Sequence, residues 1–407
     1  MNILVVAQYY YPEQFRTNDI CKQLAKDGHS VTVLTGIPNY PEGKYYSGYG
    51  VFRKRSEIHE GVKIIRTLII PRGKTKFKLI LNYLSFVFFG CLKAVKLAKE
   101  DYDLVFVYET SPITMAIPAI SVSKLKKIPL IMYVTDLWPE SVQAVGAVNN
   151  KFILGQIGKI VDYIYRQCDK ILVSSKSFMK AISQRGHSLN KIVFWPQYAE
   201  ELFQKEPTNI IDVKKDIPSG FNIVFTGNIG EAQGLEVVIR AAEKLIDYPD
   251  IHWILIGDGR AKAALINKVK ERNLQKHIRF LERKPIELMP AYLALADAAL
   301  ITLKKDPIFS MTIPAKLQSY MACGVPVIAS IEGEVASIVR TAGAGLVCDA
   351  GDSDGLAEIV LKLYRMSTTS RQKYGINGRE FFLNNFSKKK LMRELYTILE
   401  EQVNKGK

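Results

Sequence analysis

The residues best suited to chemistry lie in the second half of the chain, in Ser310-Met311-Thr312-Ile313-Pro314-Ala315-Lys316-Leu317-Gln318-Ser319-Tyr320. Thr312 or Ile313 reads as a helix cap, with Pro314 at the first helical position, where its missing N–H costs nothing. Lys316 then falls in the first turn. A cation there opposes the positive end of the helix dipole unless an anion is bound. Phosphate contact is the expected role of Lys316, with Thr312, Ile313 and Pro314 beside it and Ser319 one turn on.

Two glycine turns upstream belong with this segment. Gly227-Asn228-Ile229-Gly230 and Gly257-Asp258-Gly259-Arg260 each close an apolar run. Glycine lets backbone N–H groups approach a diphosphate, and the planar fork of Arg260 suits phosphate. Arg283, after the next apolar run, is grouped with them as a donor-site cation. The plain alternative is capped turns with solvated side chains. Two such turns at successive strand ends of one sheet favour a ligand.

The first half offers carboxylates. Asp136 and Glu140, in Asp136-Leu137-Trp138-Pro139-Glu140, follow the apolar run Leu130–Val134. Acids at a strand's exit can orient a hydroxyl or take its proton, while capping of the next helix is the competing role. The first strand's exit, Gln8-Tyr9-Tyr10-Tyr11-Pro12-Glu13-Gln14-Phe15-Arg16, has no glycine, which argues against a dinucleotide fingerprint. Its polar, aromatic character suits a bulky polar ligand, with Glu13 and Arg16 as contacts to it or, equally, as surface residues. The histidines and cysteines show no metal-ligand spacing, so no metal and no cofactor beyond a co-substrate is expected.

The elements that must position these residues are short apolar runs alternating with helical patterns. Strands are expected at 3–7, 31–35, 62–68, 104–108, 130–134, 171–174 and 192–195, and again at 223–225, 253–256, 278–281, 299–303, 325–329 and 345–347. Runs apolar on both faces and bounded by Gly, Pro and Asp are the signature of parallel strands covered by helices. Two such series predict an α/β protein of two doubly wound, Rossmann-like domains. The boundary falls in a polar, Pro-punctuated stretch that includes Pro207-Thr208-Asn209 and Pro218-Ser219-Gly220. The predicted domains are 1–200, 201–385 and a closing helix over 386–407 that returns towards the first.

Net charge is +16, and residues 1–200 carry 27 Lys and Arg against 15 Asp and Glu, a surplus of 12. An anionic partner follows: nucleic acid, anionic lipid or a phosphorylated substrate. The surplus is blocky rather than interleaved along a groove, which disfavours nucleic acid. Arg72, Lys74, Lys76 and Lys78 precede the apolar run Leu79–Leu92, and Lys93, Lys96 and Lys99 follow it. That run is shorter than the roughly 20 residues that span a bilayer. Its flanking cations, with Phe86, Phe88 and Phe89, suit a helix lying in an anionic membrane interface; a buried core helix is the alternative.

The segment from Pro314 to Ser330, with Gly257-Asp258-Gly259-Arg260 and the tandem Rossmann halves, resembles family-four retaining glycosyltransferases of the GT-B fold. Gly28–Thr35, Pro38–Gly43 and Asp136–Ser141 narrow the resemblance to bacterial capsule and O-antigen transferases, including N-acetyl-L-fucosamine transferases. The resemblance implies a cleft between the domains, a UDP-sugar donor site in the second and an acceptor site in the first. The implied donor is an N-acetylated deoxyhexosamine, the implied acceptor a polyprenyl-diphosphate-linked sugar. The implied location is cytoplasmic, on the inner face of the plasma membrane. Many members carry a Glu pair seven residues apart in the second domain; Met311 and Ser319 stand at those positions here. Asn228 and Gln233 replace the usual Arg and Lys. Arg260 and Lys316 then become the expected cations for the diphosphate, and Ser319 a weak ribose contact. An epimerase of UDP-N-acetylglucosamine and a non-catalytic nucleotide-sugar-binding scaffold remain as alternatives.

Overall fold

All thirteen apolar runs fold as strands. The computed structural model describes residues 1–406 apart from positions 74, 145, 147 and 209, so Lys74 and Asn209 lie outside the described residues. The chain forms two compact units, Met1–Trp195 with Leu395–Lys407, and Pro196–Glu394.

The first unit contains β1 (Asn2–Val6), α1 (Arg16–Lys26), β2 (Ser30–Gly36), β3 (Ser56–His59), β4 (Val62–Thr67), α2 (Lys76–Leu97), β5 (Leu104–Glu109), α3 (Ile117–Lys126), β6 (Leu130–Val134), α4 (Glu140–Ala144), α5 (Lys151–Gln167), β7 (Lys170–Val173), α6 (Lys176–Gln184) and β8 (Ile192–Phe194). The sheet order is β3-β4-β2-β1-β5-β6-β7-β8, parallel except for β3 against β4. Ile3 to Val6, Val105, Val107 and Ile131 to Val134 have no exposed surface, as strands covered on both faces require. The edge strand β3 was not expected from sequence. Its residues alternate between exposed and half-buried, so it lacks the two-sided apolar signature. Helix starts are chemically marked. Thr75 accepts from Lys78 N, Asn150 from Phe152 N and Ile153 N, and Ser175 from Phe178 N, each cap worth about 1 kcal/mol.

Helix α2 departs from expectation in two ways. It runs 22 residues, not 14, and is long and apolar enough by length and composition to cross a membrane. It is also inverted. Asn82, Ser85, Phe86, Gly90, Ala94 and Leu97 are buried, whereas Phe77, Ile80, Leu84, Phe88, Leu92 and Val95 are all more than half exposed. Phe86 is therefore a core residue, contrary to its expected lipid contact. Gly90 lets α2 lie close on α3, since a Cβ there would sit 2.7 Å from Pro118 Cγ.

The second unit contains α7 (Ile210–Lys214), β9 (Phe221–Thr226), α8 (Glu236–Lys244), β10 (Ile251–Ile256), α9 (Lys262–Glu271), β11 (Ile278–Leu281), α10 (Met289–Ala294), β12 (Ala298–Thr302), α11 (Pro307–Met311), α12 (Ala315–Ala322), β13 (Val327–Ser330), α13 (Glu334–Ala342), β14 (Gly345–Cys348), α14 (Ser353–Arg365) and α15 (Thr368–Asn385). The order β11-β10-β9-β12-β13-β14 is wholly parallel. Phe225, Trp253, Leu255, Ile328, Leu356 and Val360 belong to its core. The last helix, α16 (Lys388–Gly406), starts in this unit, but from Leu395 onward its residues belong to the first. There Leu395 and Leu399 are fully buried, Tyr396 stacks near His29 and its hydroxyl bonds Asp27.

In each sheet the first strand lies between strands whose connections run in opposite directions: β1 between β2 and β5, β9 between β10 and β12. Ligands of open α/β sheets bind outside the strand carboxyl ends at such switch points.

Candidate functional site

Lys316 reaches the switch point of the second unit. Helix α12 is registered on β9 by Tyr320, whose hydroxyl oxygen accepts from Thr226 N at 2.9 Å. One turn earlier, Lys316 Nζ donates to Gln233 Oε1 at 2.5 Å and lies 3.9 Å from the Phe225 ring centroid. A Cβ on Gly227 would be 3.9 Å from Nζ. The loop after β12 closes the other side, Lys304 N donating to Ala232 O at 2.9 Å. The partners of this cation are thus an amide oxygen and an aromatic face. Burial pulls its pKa down to about 7. Helix α12 begins at Ala315 with Pro314 as its cap, one residue later than expected, so Lys316 remains in the first turn.

The glycine turns have a packing explanation. Gly257 has φ 149°, and a Cβ there would lie 1.8 Å from Gly227 O; on Gly259 it would lie 2.4 Å from Ile229 O. The two turns lie against each other and cross-link, with Gly227 N donating to Ile256 O and Ile229 N to Asp258 O. The Gly227 and Ile229 amides are thereby already engaged within the protein. Lys262, not Arg260, opens α9. Its buried amine donates to Gly257 O and Leu281 O and holds the turn. Arg260 and Arg283 stand exposed after β10 and β11. Ile313 is buried, while Thr312 Oγ1 donates to Ile308 O. Ser319 Oγ donates to Ala315 O within its own helix, which weakens its expected ribose role.

In the first unit Asp136 lies just beyond the end of β6. Trp138 Nε1 donates to its Oδ2 at 3.2 Å, and burial raises its pKa against the opposing pull of hydrogen bonds. Beneath it is an acid the sequence reading missed. Glu109 ends β5 at the switch point and is fully buried. Its Oε2 accepts from Thr135 N and Asp136 N at 3.2 Å each, and its Oε1 is without a partner among the described residues. Burial, then the neighbouring Asp136 charge, pushes the Glu109 pKa well above the usual carboxylate range. The sequence signal was available: a carboxylate as the last residue of an apolar run.

The other expected residues of this unit divide. Glu140 opens α4, with Oε1 3.8 Å from Arg185, whose Nε binds Asp162 at 2.8 Å. It thus belongs to a charged network. Glu13 accepts from Asn39 N, Tyr40 N and Tyr10 N, tying the loops after β1 and β2 together. Burial raises its pKa to about 7. Arg16 is half-buried at the start of α1, and its charge acts on the buried Tyr133 hydroxyl.

Known proteins share both halves. Residues 15–197 match the model described as Glycosyltransferase Family 4, and residues 208–381 match Glycosyl transferases group 1. An Escherichia coli (strain K12) glycosyl transferase, WcaI, provisionally assigned to colanic acid biosynthesis, is 28% identical over 80% of this chain and 82% of its own. A 2-deoxystreptamine N-acetyl-D-glucosaminyltransferase of Niallia circulans is 24% identical over 86% and 87%. Among solved structures, Anabaena HepE in complex with UDP and glucose superposes with TM-score 0.73 over 98% of this chain and 100% of that one, at 17% identity.

Proposed function

Because the chain is a glycosyltransferase of the GT-B fold, family four in its first half and group 1 in its second, we propose that it transfers a sugar from a UDP-sugar to a lipid-linked saccharide in exopolysaccharide synthesis. The observation that carries the donor assignment is Lys316, a half-buried cation with no acid partner among the described residues, at the second unit's switch point. The first turn of α12 and the Asn228 and Gly230 amides add positive potential for the diphosphate. UDP in the HepE complex supports that choice of nucleotide. The N-acetylglucosaminyl transfer of the Niallia relative supports an N-acetylated donor, which we read as a deoxyhexosamine such as N-acetyl-L-fucosamine.

In this reading the bond from the anomeric carbon to the β-phosphate oxygen breaks, and its electrons pass to the diphosphate beside Lys316. The acceptor hydroxyl forms the new bond and yields its proton to Asp136. Transfer is read as retaining and metal-independent, as the family resemblance implies. Incubation with UDP-N-acetyl-hexosamines and capsule-producing membrane extract is expected to release UDP only when lipid is included. Release that ignores the lipid fraction, or none with any donor, rejects the proposal.

We further propose that α2 lies on an anionic membrane. Its exposed apolar stripe is accompanied by Lys76, Lys78, Lys96 and Lys99, all at the surface. Fully burying one such side chain contributes ~1.5–3 kcal/mol. Replacing Leu84, Phe88 and Leu92 together by Ser is therefore expected to weaken flotation with anionic liposomes at least about tenfold. Unchanged flotation would refute the assignment.

A further inference from the structure

The inner flank of α2 carries Tyr83, and the loops that follow β1, β2, β4, β5 and β6 converge around it. The half-buried Tyr83 hydroxyl feels Ser111, after β5, and the charges of Arg72 and Asp136. Arg72 follows β4. Its backbone is fixed by donation to Asn39 Oδ1 at 2.8 Å, and Asn39 is itself buried and held by Glu13. The Arg72 guanidinium lies 5.2 Å from the Tyr40 ring centroid, and its charge acts on the Tyr9 hydroxyl. Tyr9 in turn packs on Tyr40 and Phe15 at 5.4 and 5.5 Å.

Arg72 is therefore a half-buried cation beside a phenol ring, with no ion-pair partner among the described residues. A guanidinium fork in such a setting matches phosphate, to which tyrosine hydroxyls also donate. Tyr83 brings Arg72 and Asp136 into one cluster. A single sugar can then place an anionic substituent at one and a hydroxyl at the other, while aromatic rings face its apolar surface. The residue after Tyr83 is Leu84, on the exposed apolar stripe.

We propose that Arg72, with Tyr9, Tyr40 and Tyr83, binds the phosphate or diphosphate ester of a lipid-linked acceptor whose tail leaves along the apolar face of α2. This rests on the reading that the first unit takes the acceptor. It also moves Arg72 from the membrane-facing cations, where sequence alone put it, to the acceptor site.

The probes are farnesyl diphosphate, farnesyl monophosphate and farnesol in neutral detergent, titrated calorimetrically against the full chain. Wild type is expected to bind the phosphorylated probes at least about tenfold more tightly than farnesol, the two phosphorylated arms telling monoester from diphosphate. Arg72→Met is expected to erase that preference, Tyr83→Phe to reduce it about threefold, and Lys180→Met, an exposed change on α6, to leave it intact. Equal binding of all three probes by wild type, or full preference in folded Arg72→Met, overturns the proposal. If Arg72→Met does not fold, Arg72→Lys serves, and undiminished preference there overturns it equally. UDP release is followed in parallel. Turnover without phosphate preference would keep the transferase and remove this site, whereas preference without turnover on any acceptor would do the reverse.

Discussion

Lys316→Met is expected to lower kcat by about 10²–10³-fold, because it removes the cation nearest the departing diphosphate from a sheltered site. Met keeps about the length of the lysine stem without a charge to bury, so the variant should be at least as stable as wild type near pH 7. The free amine has its pKa lowered to about 7 by burial, so it is about half protonated near neutrality. A bound diphosphate restores the charged form, and binding above pH 7 must take up a proton. UDP affinity is therefore highest at low pH and falls as pH rises past 7, by up to about tenfold per unit. Calorimetry of UDP binding at pH 8 in two buffers of different ionisation enthalpy should show proton uptake by wild type and none by Lys316→Met. In the ligand-free protein the unfolded chain binds more protons between pH 7 and the ordinary lysine value, so stability rises with pH across that window, and the variant loses this slope. Turnover within threefold of wild type in the variant would remove Lys316 from the mechanism.

Asp136→Asn is expected to reduce turnover about 10²–10⁴-fold while leaving UDP affinity unchanged, since the residue belongs to the other unit. The amide keeps the size of the side chain and a neighbour for Trp138 Nε1, but it cannot accept the acceptor's proton. Burial raises the Asp136 pKa, so the acid limb of the wild-type rate profile should lie above the ordinary aspartate range. Below that limb the carboxyl is protonated and the base is lost; above it activity is full. A rate profile identical in Asp136→Asn and wild type would exclude it as the base.

Much of this was legible in the chain. Strands buried on both faces announce themselves as continuous apolar runs, and thirteen of fourteen did so. The exception, β3, is an edge whose Ser56, Glu57 and His59 face water or half-buried ground. Lys316 was legible because a cation in a first helical turn contradicts the local dipole. The glycine turns were found for an incomplete reason: Gly257 and Gly259 are demanded by the opposing loop, whatever binds there. Glu109 offered only the sign of an acid closing an apolar run, and its contacts are with Thr135 and Asp136, 26 and 27 residues away. The contact of Arg72 with Asn39 was not legible, because the two lie 33 residues apart and only folding joins them. Phe86 and Phe88 differ by two positions, and only helical phase puts one in the core and the other outside.

The path of α16 has a consequence for how the molecule can be dissected. Residues 196–394 form one compact body, and the residues on both sides of them make up the other. The second unit is thus an insertion into the first, joined to it by two peptide crossings rather than one. A fragment stopping at Trp195 would lack Leu395, Tyr396 and Leu399 and leave their apolar seat open to water. The half that can be lifted out intact is the second; the first must be rebuilt by splicing its tail back on.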